Sequence, residues 1–294
     1  MRSVLGDRRA IAVLLGPALL VYTVVMLLPM GWSLGYTFTK GNLIEGFSFN
    51  GFGNFRTLWH DPQALAALWF TVKYGLVVTV GQVLLGYLLA LLYVFVLRRS
   101  SALVRTLVFF PVILPTVAVA LMFQKLFAVA PQNGLANIVT DALGLHHGDW
   151  FASGAGAFVV LVVMDLWRSM GFYGVLLYAG LLDIPEETLE SARLDGATGW
   201  RLVRHIVGPL SWPVVLSAVV FSINGTLKVF DSVLALTNGG PGSDTTPLTL
   251  SMFRTAFTYG DYGYGSTIAS LLTVVCLGVT LILVRFARLD LTKG

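Results

Sequence analysis

The chain has 294 residues, 56% of them hydrophobic and 12% charged, with a mean hydropathy of +0.80 and a formal net charge of +4. A soluble domain carries about 25% charged residues, so half that share together with long apolar runs excludes a water-soluble globular protein and places the chain in lipid. The positive charge forms no basic, aromatic-interleaved patch outside the loops, which argues against nucleic acid as a partner, and the single Cys276 has no intrachain disulfide partner.

Met1 to Arg9 is short and basic, with Arg2, Arg8 and Arg9, and an apolar stretch from Ala10 to about Gly35 follows. A signal peptide has an apolar region of about 7–15 residues and then a small-residue cleavage site. This stretch is longer and lacks such a site, so it reads as a retained first span. A membrane helix needs about 20 mostly apolar residues. Six segments qualify, roughly 10–35, 69–97, 103–128, 155–182, 210–236 and 264–287. Pro17, Pro29, Pro111 and Pro115 lie within them, as membrane helices tolerate.

Orientation follows from Lys and Arg in the short loops. With the N-terminus inside, twelve of these residues are cytoplasmic: Arg2, Arg8, Arg9, Arg98, Arg99, Arg105, Arg193, Arg201, Arg204, Arg285, Arg288 and Lys293. Only Lys40, Arg56 and Arg254 fall outside, so both termini are expected in the cytoplasm. The outer loops, about 36–68, 129–154 and 237–263, hold turn formers and aromatics. Adjacent His146 and His147 with Asp149 read as a solvated loop rather than a metal site, since no third spaced ligand set accompanies them. No internal repeat is visible, and the whole chain, 1–294, is expected to be a single transmembrane domain.

The inner loops are short except for 183–209. Pro185 suits the first turn of a helix, and Glu186 and Glu187 complement its dipole. Leu189, Ala192 and Arg193 recur at helical spacing until Gly196, which accepts the left-handed conformation that ends helices. Thr198 is then placed to cap a second short helix, with Trp200, Val203 and Val207 on one face, Leu202 and Ile206 flanking, and Pro209 ending it. The expected shape is a compact helix–turn–helix knob on the cytoplasmic surface. Periodicity alone equally allows an interfacial helix resting in headgroups.

In the fifth span Asn224, Lys228 and Asp231 are spaced i, i+4, i+7 and so share one helical face. They form either an ion pair that fixes packing or a polar stripe lining a path, and both readings can hold together. The fourth span holds Asp165 and Arg168 at i, i+3, followed by Phe172 and Tyr173.

The run Glu190-Ser-Ala-Arg-Leu-Asp195-Gly196-Ala197, followed by Ile206 and Pro209, resembles the EAA motif of ABC-importer permeases, with Ser191 in place of an Ala and Gly208 in place of a Leu. Thr237-Asn-Gly-Gly-Pro241, the run Asn224 to Asp231 and Phe49-Asn-Gly-Phe-Gly-Asn-Phe55 resemble the carbohydrate-uptake branch, on the side of its MalF-like rather than its MalG-like members. The resemblance implies an all-α, six-span type I importer permease in a bacterial or archaeal inner membrane. It implies ATPase coupling through Glu190, Ala192, Asp195, Gly196 and Ala197. It implies a translocation path through Asn224, Lys228, Asp231, Asp165, Phe172 and Tyr173, and a binding-protein docking loop at Asn238, Gly239, Gly240 and Pro241. The implied partners are a homologous second permease, two ATPase subunits and an extracytoplasmic substrate-binding protein.

The chain itself has no P-loop, so ATP and Mg belong to the ATPase partner and no cofactor is expected here. It also lacks a nucleophile–base–orienter set, so it is not expected to be an enzyme. The cargo implied is a sugar or oligosaccharide. A glycerol phosphate or glycerophosphodiester is the alternative that Arg168 and Lys228 allow. A stand-alone secondary transporter, with inverted repeats and ATP-independent uptake, is the reading from another class.

Overall fold

The computed structural model describes residues 8–42, 44–97, 100–129, 133–144 and 148–291. Arg2, Arg98, Arg99, Lys293, His146 and His147 lie outside the described residues. The chain falls into two compact units, Met1–Ala64 with Ser251–Leu271, and Leu65–Leu250 with Leu272–Gly294. Among the described residues, five helices are long and apolar enough to cross a membrane: α1 (Ile11–Tyr36), α3 (Pro62–Leu97), α7 (Gly154–Leu182), α9 (Trp200–Thr226) and α12 (Tyr262–Arg285). A sixth candidate is a bent pair.

In the first unit, no residue of α1 is buried, so its apolar side chains meet lipid or another chain. It leads into a two-stranded antiparallel hairpin, β1 (Thr39–Asn42) and β2 (Gly46–Phe49), in which Thr39 faces Phe49 and Asn42 faces Gly46. The sequence had shown this stretch only as an outer loop. Asn42 Oδ1 accepts the backbone N–H groups of Ile44 and Glu45 and shapes the turn. Helix α2 (Gly53–His60) follows. Its buried Asn54 donates through Nδ2 to the carbonyls of Thr37, at 2.9 Å, and Thr39, at 2.8 Å, and so locks the exit from α1. Tyr264 at the start of α12 donates to Asp61 Oδ2 at 2.5 Å.

The second unit is a helical bundle with two apolar cores. One gathers Phe70, Tyr74 and Val78 of α3, Val160, Leu161 and Met164 of α7, and Val233 and Leu236. The other gathers Val83 and Ala90 of α3, Leu177 and Leu181 of α7, Ala218 of α9, and Ala192, Leu202 and Val207. Close helix approach depends on glycine. A Cβ on Gly171 of α7 would sit 2.2 Å from the Val108 carbonyl oxygen, so only hydrogen fits at that crossing.

Two expected spans are corrected. The segment 103–128 is not one rod: α4 (Ser101–Ile113) and α5 (Thr116–Leu126) meet at 96°. Pro115 has no N–H to continue the helix, and its ring drives Leu114 into extended backbone, φ −69° and ψ 139°. The segment 210–236 is also broken. Helix α9 ends at Thr226, residues 227–230 leave the helix, and α10 (Asp231–Leu236) begins anew, with Phe230 at φ −140° and ψ −63°. Tertiary bonds replace helical ones at this break: Thr249 Oγ1 donates to the Val229 carbonyl, and Ser232 Oγ donates to Asp165 Oδ1 at 2.9 Å.

The 183–209 segment forms its first helix as expected, α8 (Glu186–Leu194). Gly196 has φ +83°, and the N–H of Ala197 reaches the Ala192 carbonyl at 2.9 Å, closing the helix in a Schellman turn. The second half differs. There is no separate short helix capped by Thr198 and ended by Pro209. A second left-handed glycine, Gly199 at φ +52°, starts α9, which runs through Pro209 into the membrane span. Pro209 is tolerated because the backbone widens just before it. Val203–Val207 is a π turn in which the Gly208 N–H bonds the Val203 carbonyl. The expected apolar face is also revised, because Leu202 and Val207 are buried while Trp200 is 71% exposed.

Candidate functional site

A cavity of about 370 Å³ opens in the second unit at the helix break. Asp165, Phe172, Tyr173, Lys228 and Asp231 all line it, together with Tyr74, Gln82, Arg168, Ser169, Phe221, Ser222 and Ser232. Along α7, Asp165 to Phe172 fall between the residues of the two apolar cores, while Tyr74 and Tyr173 reach the cavity from the cores themselves. Five of the six residues expected on the path therefore converge, though not by the expected geometry. Lys228 and Asp231 do not share a face of a continuous helix. They stand on either side of the break, exposed, and form no ion pair with each other.

Asn224 is the residue that the structure removes from this set. Its Nδ2 donates to the Val220 carbonyl at 2.9 Å, and its Oδ1 lies 3.1 Å from Thr280 Oγ1 on α12. The continuous-face argument failed because the helix stops at Thr226, so positions 224 and 228 are not successive turns of one helix.

Asp165 sits in the middle of α7 and is 6% exposed. Ser232 donates to its Oδ1, Tyr74 donates to its Oδ2, and Arg168 Nε lies 3.6 Å from Oδ1. A buried carboxylate is costly unless donors surround it, and here α3 and α10 supply hydrogen bonds while Arg168 of α7 supplies a nearby positive charge. Beside it runs a chain of hydroxyl and amide bonds. Ser222 donates to Gln82 Oε1 at 2.6 Å, Gln82 Nε2 donates to Ser169 Oγ at 2.8 Å, and Ser169 donates to the Asp165 carbonyl at 2.5 Å. The result is a preorganised polar wall in a cavity that the aromatic rings of Phe172 and Phe221, centroids 5.4 Å apart, also line. Such a cavity presents hydrogen-bonding groups and apolar faces together.

Sequence reasoning missed Tyr74, Gln82, Ser222 and Ser232. Gln82 carried a usable signal as an amide inside an apolar span. The hydroxyls carried none, since in a helix they can bond their own backbone, as Thr226 does to the Ser222 carbonyl at 3.0 Å.

The knob divides its residues by role. Ala192 is buried and Ala197 half-buried against Leu202 and Ile206, so these alanines hold α8 on the bundle. Glu190, Asp195 and Gly196 are exposed. Leu194, 89% exposed, and Trp200, 71% exposed, flank the glycine turn.

The loop 237–246 is braced from within. Asn238, Gly239 and Gly242 have positive φ, and the Gly240–Pro241 peptide is cis. Thr245 Oγ1 lies 2.9 Å from Thr237 Oγ1 and 2.6 Å from the Gly240 carbonyl, and Thr246 donates to the Gly239 carbonyl at 3.2 Å. Gly239 is buried, while Asn238 faces solvent. Gly240 and Pro241 line a second cavity, of about 540 Å³, with Gln124 and Asp149.

A bundle of apolar helices around a polar cavity, with a solvent-exposed knob between two spans, defines a membrane permease. The chain belongs to the family of binding-protein-dependent transport system inner membrane components, whose model matches residues 82–289. It is 31% identical to a probable ABC transporter permease protein of Pyrococcus horikoshii, over 94% of both chains. It is 30% identical to the sulfoquinovosyl glycerol transport system permease protein SmoG of Agrobacterium fabrum, over 97% of this chain and 92% of that one. It is also 30% identical to the trehalose/maltose transport system permease protein MalF of Thermococcus litoralis, over 92% and 91%. Among solved structures, a bacterial alginate ABC transporter in complex with an alginate pentasaccharide-bound periplasmic protein shares the fold, with a TM-score of 0.85 over 98% of both chains at 21% identity. The chain is thus a multi-pass membrane permease of the ABC importer class.

Proposed function

We propose that this chain is the permease subunit of an ATP-driven, binding-protein-dependent importer of a sugar or oligosaccharide. The observation that carries the reading is the cavity at the 227–230 break, which hydrogen-bonding side chains and aromatic faces line together, as a polyhydroxylated cargo requires. Its formally charged groups balance, Arg168 and Lys228 against Asp165 and Asp231, which favours an uncharged cargo over a phosphorylated one. The name of the relative that transports trehalose and maltose supports an uncharged sugar, and that of the sulfoquinovosyl glycerol permease supports a sugar-containing cargo more broadly.

The cavity is this subunit's half of the path, and a second, homologous permease supplies the other half. The exposed apolar pair Leu194 and Trp200, set beside the rigid Gly196 turn, marks the knob as a protein-docking surface. Its partner is the ATPase subunit, which binds ATP and Mg. Both termini and the knob are cytoplasmic by the distribution of Lys and Arg. The braced 237–246 loop faces the opposite side and meets the binding protein.

The test is reconstitution of the chain in proteoliposomes with the second permease, the ATPase and the binding protein. The expected result is uptake of a labelled oligosaccharide that requires ATP and the binding protein. Uptake without ATP would make the chain a secondary transporter, and selective uptake of glycerol 3-phosphate would replace the sugar assignment.

A further inference from the structure

Asp165 looks like a cargo ligand in the sequence, since it is an ionisable residue in a span beside aromatics. Its surroundings say otherwise. Oδ2 is taken by Tyr74 of α3, and Oδ1 by Ser232 of α10 at 2.9 Å, with Arg168 of its own helix 3.6 Å away. The Asp165 side chain is only 8% exposed, against 29% for Arg168. Both oxygens are committed to protein donors, and little of the carboxylate faces the cavity.

What Asp165 does hold is the chain at the break. Ser232 is the second residue of α10, directly after Asp231, so the Asp165–Ser232 bond fixes the start of that helix against α7. On the other side, Thr249 donates to the Val229 carbonyl and holds the chain just after Lys228. Lys228, in the non-helical stretch, and Asp231, the first residue of α10, are the two exposed charges of the cavity, and each stands directly beside a pinned residue. Locally the stretch is held only by turn bonds, Lys228 N–H to the Gly225 carbonyl and Val229 N–H to the Thr226 carbonyl, each 3.2 Å, and the pins set how it continues into α10.

We propose that Asp165 is a positioning residue. Through Ser232, it sets the geometry of the 227–230 break and the start of α10, and so the placement of Lys228 and Asp231 towards the cargo, without touching the cargo itself. This rests on the reading of the cavity as the cargo path.

The test uses the assembled transporter in proteoliposomes. Ser232→Ala and Asp165→Asn each raise the uptake KM by about tenfold, the scale of one lost hydrogen bond to a charged group. Ser232→Thr, which keeps the hydroxyl, stays near wild type. The double variant is no worse than Asp165→Asn alone, because both changes cut one link. A defect of folding or assembly lowers Vmax through fewer working complexes and leaves KM alone. A further arm needs no cargo: with Cys276→Ser and Lys228→Cys, the rate of modification by a water-soluble maleimide shifts several-fold when Ser232→Ala is added and returns with Ser232→Thr. Where Asp165→Asn does not assemble, the Ser232 pair decides. Where the wild-type complex carries no sugar, the cargo assignment fails and the maleimide arm still decides the clamp. Multiplying effects in the double variant, an unchanged KM and labelling rate for Ser232→Ala, or loss in Asp165→Asn of discrimination against a single deoxy-sugar would each overturn the proposal.

Discussion

Thr280 on the last span and Asn224 at the end of α9 meet through Oγ1 and Oδ1, 3.1 Å apart, while the same hydroxyl lies 2.7 Å from the Cys276 carbonyl. This contact gives Asn224 a packing role between helices. Interhelical hydrogen bonds in membranes are worth about 0.6 kcal/mol on average and up to about 1.7 kcal/mol. Asn224→Leu is expected to cost the detergent-solubilised protein about 1 kcal/mol of that order and to leave the uptake KM within about twofold. Thermal unfolding and uptake measured on the same preparation check it. A large KM change with normal stability would return Asn224 to the cargo path.

Lys228 and Asp231 face the cavity from opposite sides of the break without bonding each other. Replacing either by Leu is expected to impair uptake about tenfold or more, as loss of a placed polar contact does. The reciprocal swap, Lys228→Asp with Asp231→Lys, should not rescue it, because no pair geometry exists to be restored. Uptake assays of the two single variants and the swap decide between this and an ion pair that only fixes packing, which the swap would largely restore.

Gly196 holds φ +83° in the turn of the knob. A β-branched residue there is strained by about 1–2 kcal/mol, and relief of that strain reshapes the surface between Leu194 and Trp200. Gly196→Val is expected to abolish the stimulation of ATPase activity by loaded binding protein, whereas Gly196→Asn, which tolerates the left-handed region, keeps most of it. Stimulated ATPase activity in the reconstituted complex reads the difference. Full stimulation in Gly196→Val would remove the coupling role from this turn.

Gly171 leaves no space for a side chain against the Val108 carbonyl, whereas a Cβ on Gly278 meets nothing within 4 Å. Gly171→Ala is expected to destabilise the protein by about 1–3 kcal/mol through overpacking. Gly278→Ala should be neutral or stabilise by up to about 1 kcal/mol. Paired thermal melts of the two variants check the contrast, and equal melting points would mean that the α4–α7 crossing can relax.

The parts legible beforehand were those set by local chemistry. Twenty-odd apolar residues in a row must form a helix in lipid, whatever their neighbours, because the backbone has no other partner for its hydrogen bonds. Helix α8 and its end at Gly196 followed from Pro185, the acidic first turn and the glycine. The bend at Pro115 was within reach, because proline next to Leu114 restricts backbone locally, but apolar continuity concealed it. The break at 227–230 was not legible, since Gly225 and Thr226 are compatible with a membrane helix and only Ser232, Thr249 and Asp165 together make the alternative cheaper.

The sequence by itself determined that this is a multi-span membrane protein with a helix and glycine turn between two spans, because hydropathy and turn residues act over a few neighbouring positions. Only the tertiary structure decided which polar residues meet in the cavity. It sent Asn224 to the last span, turned Asp165 inward onto Tyr74 and Ser232, and left Lys228 and Asp231 facing the space. The reason is physical: a buried polar group goes where its hydrogen bonds can be completed, and those partners lie scores of residues away along the chain.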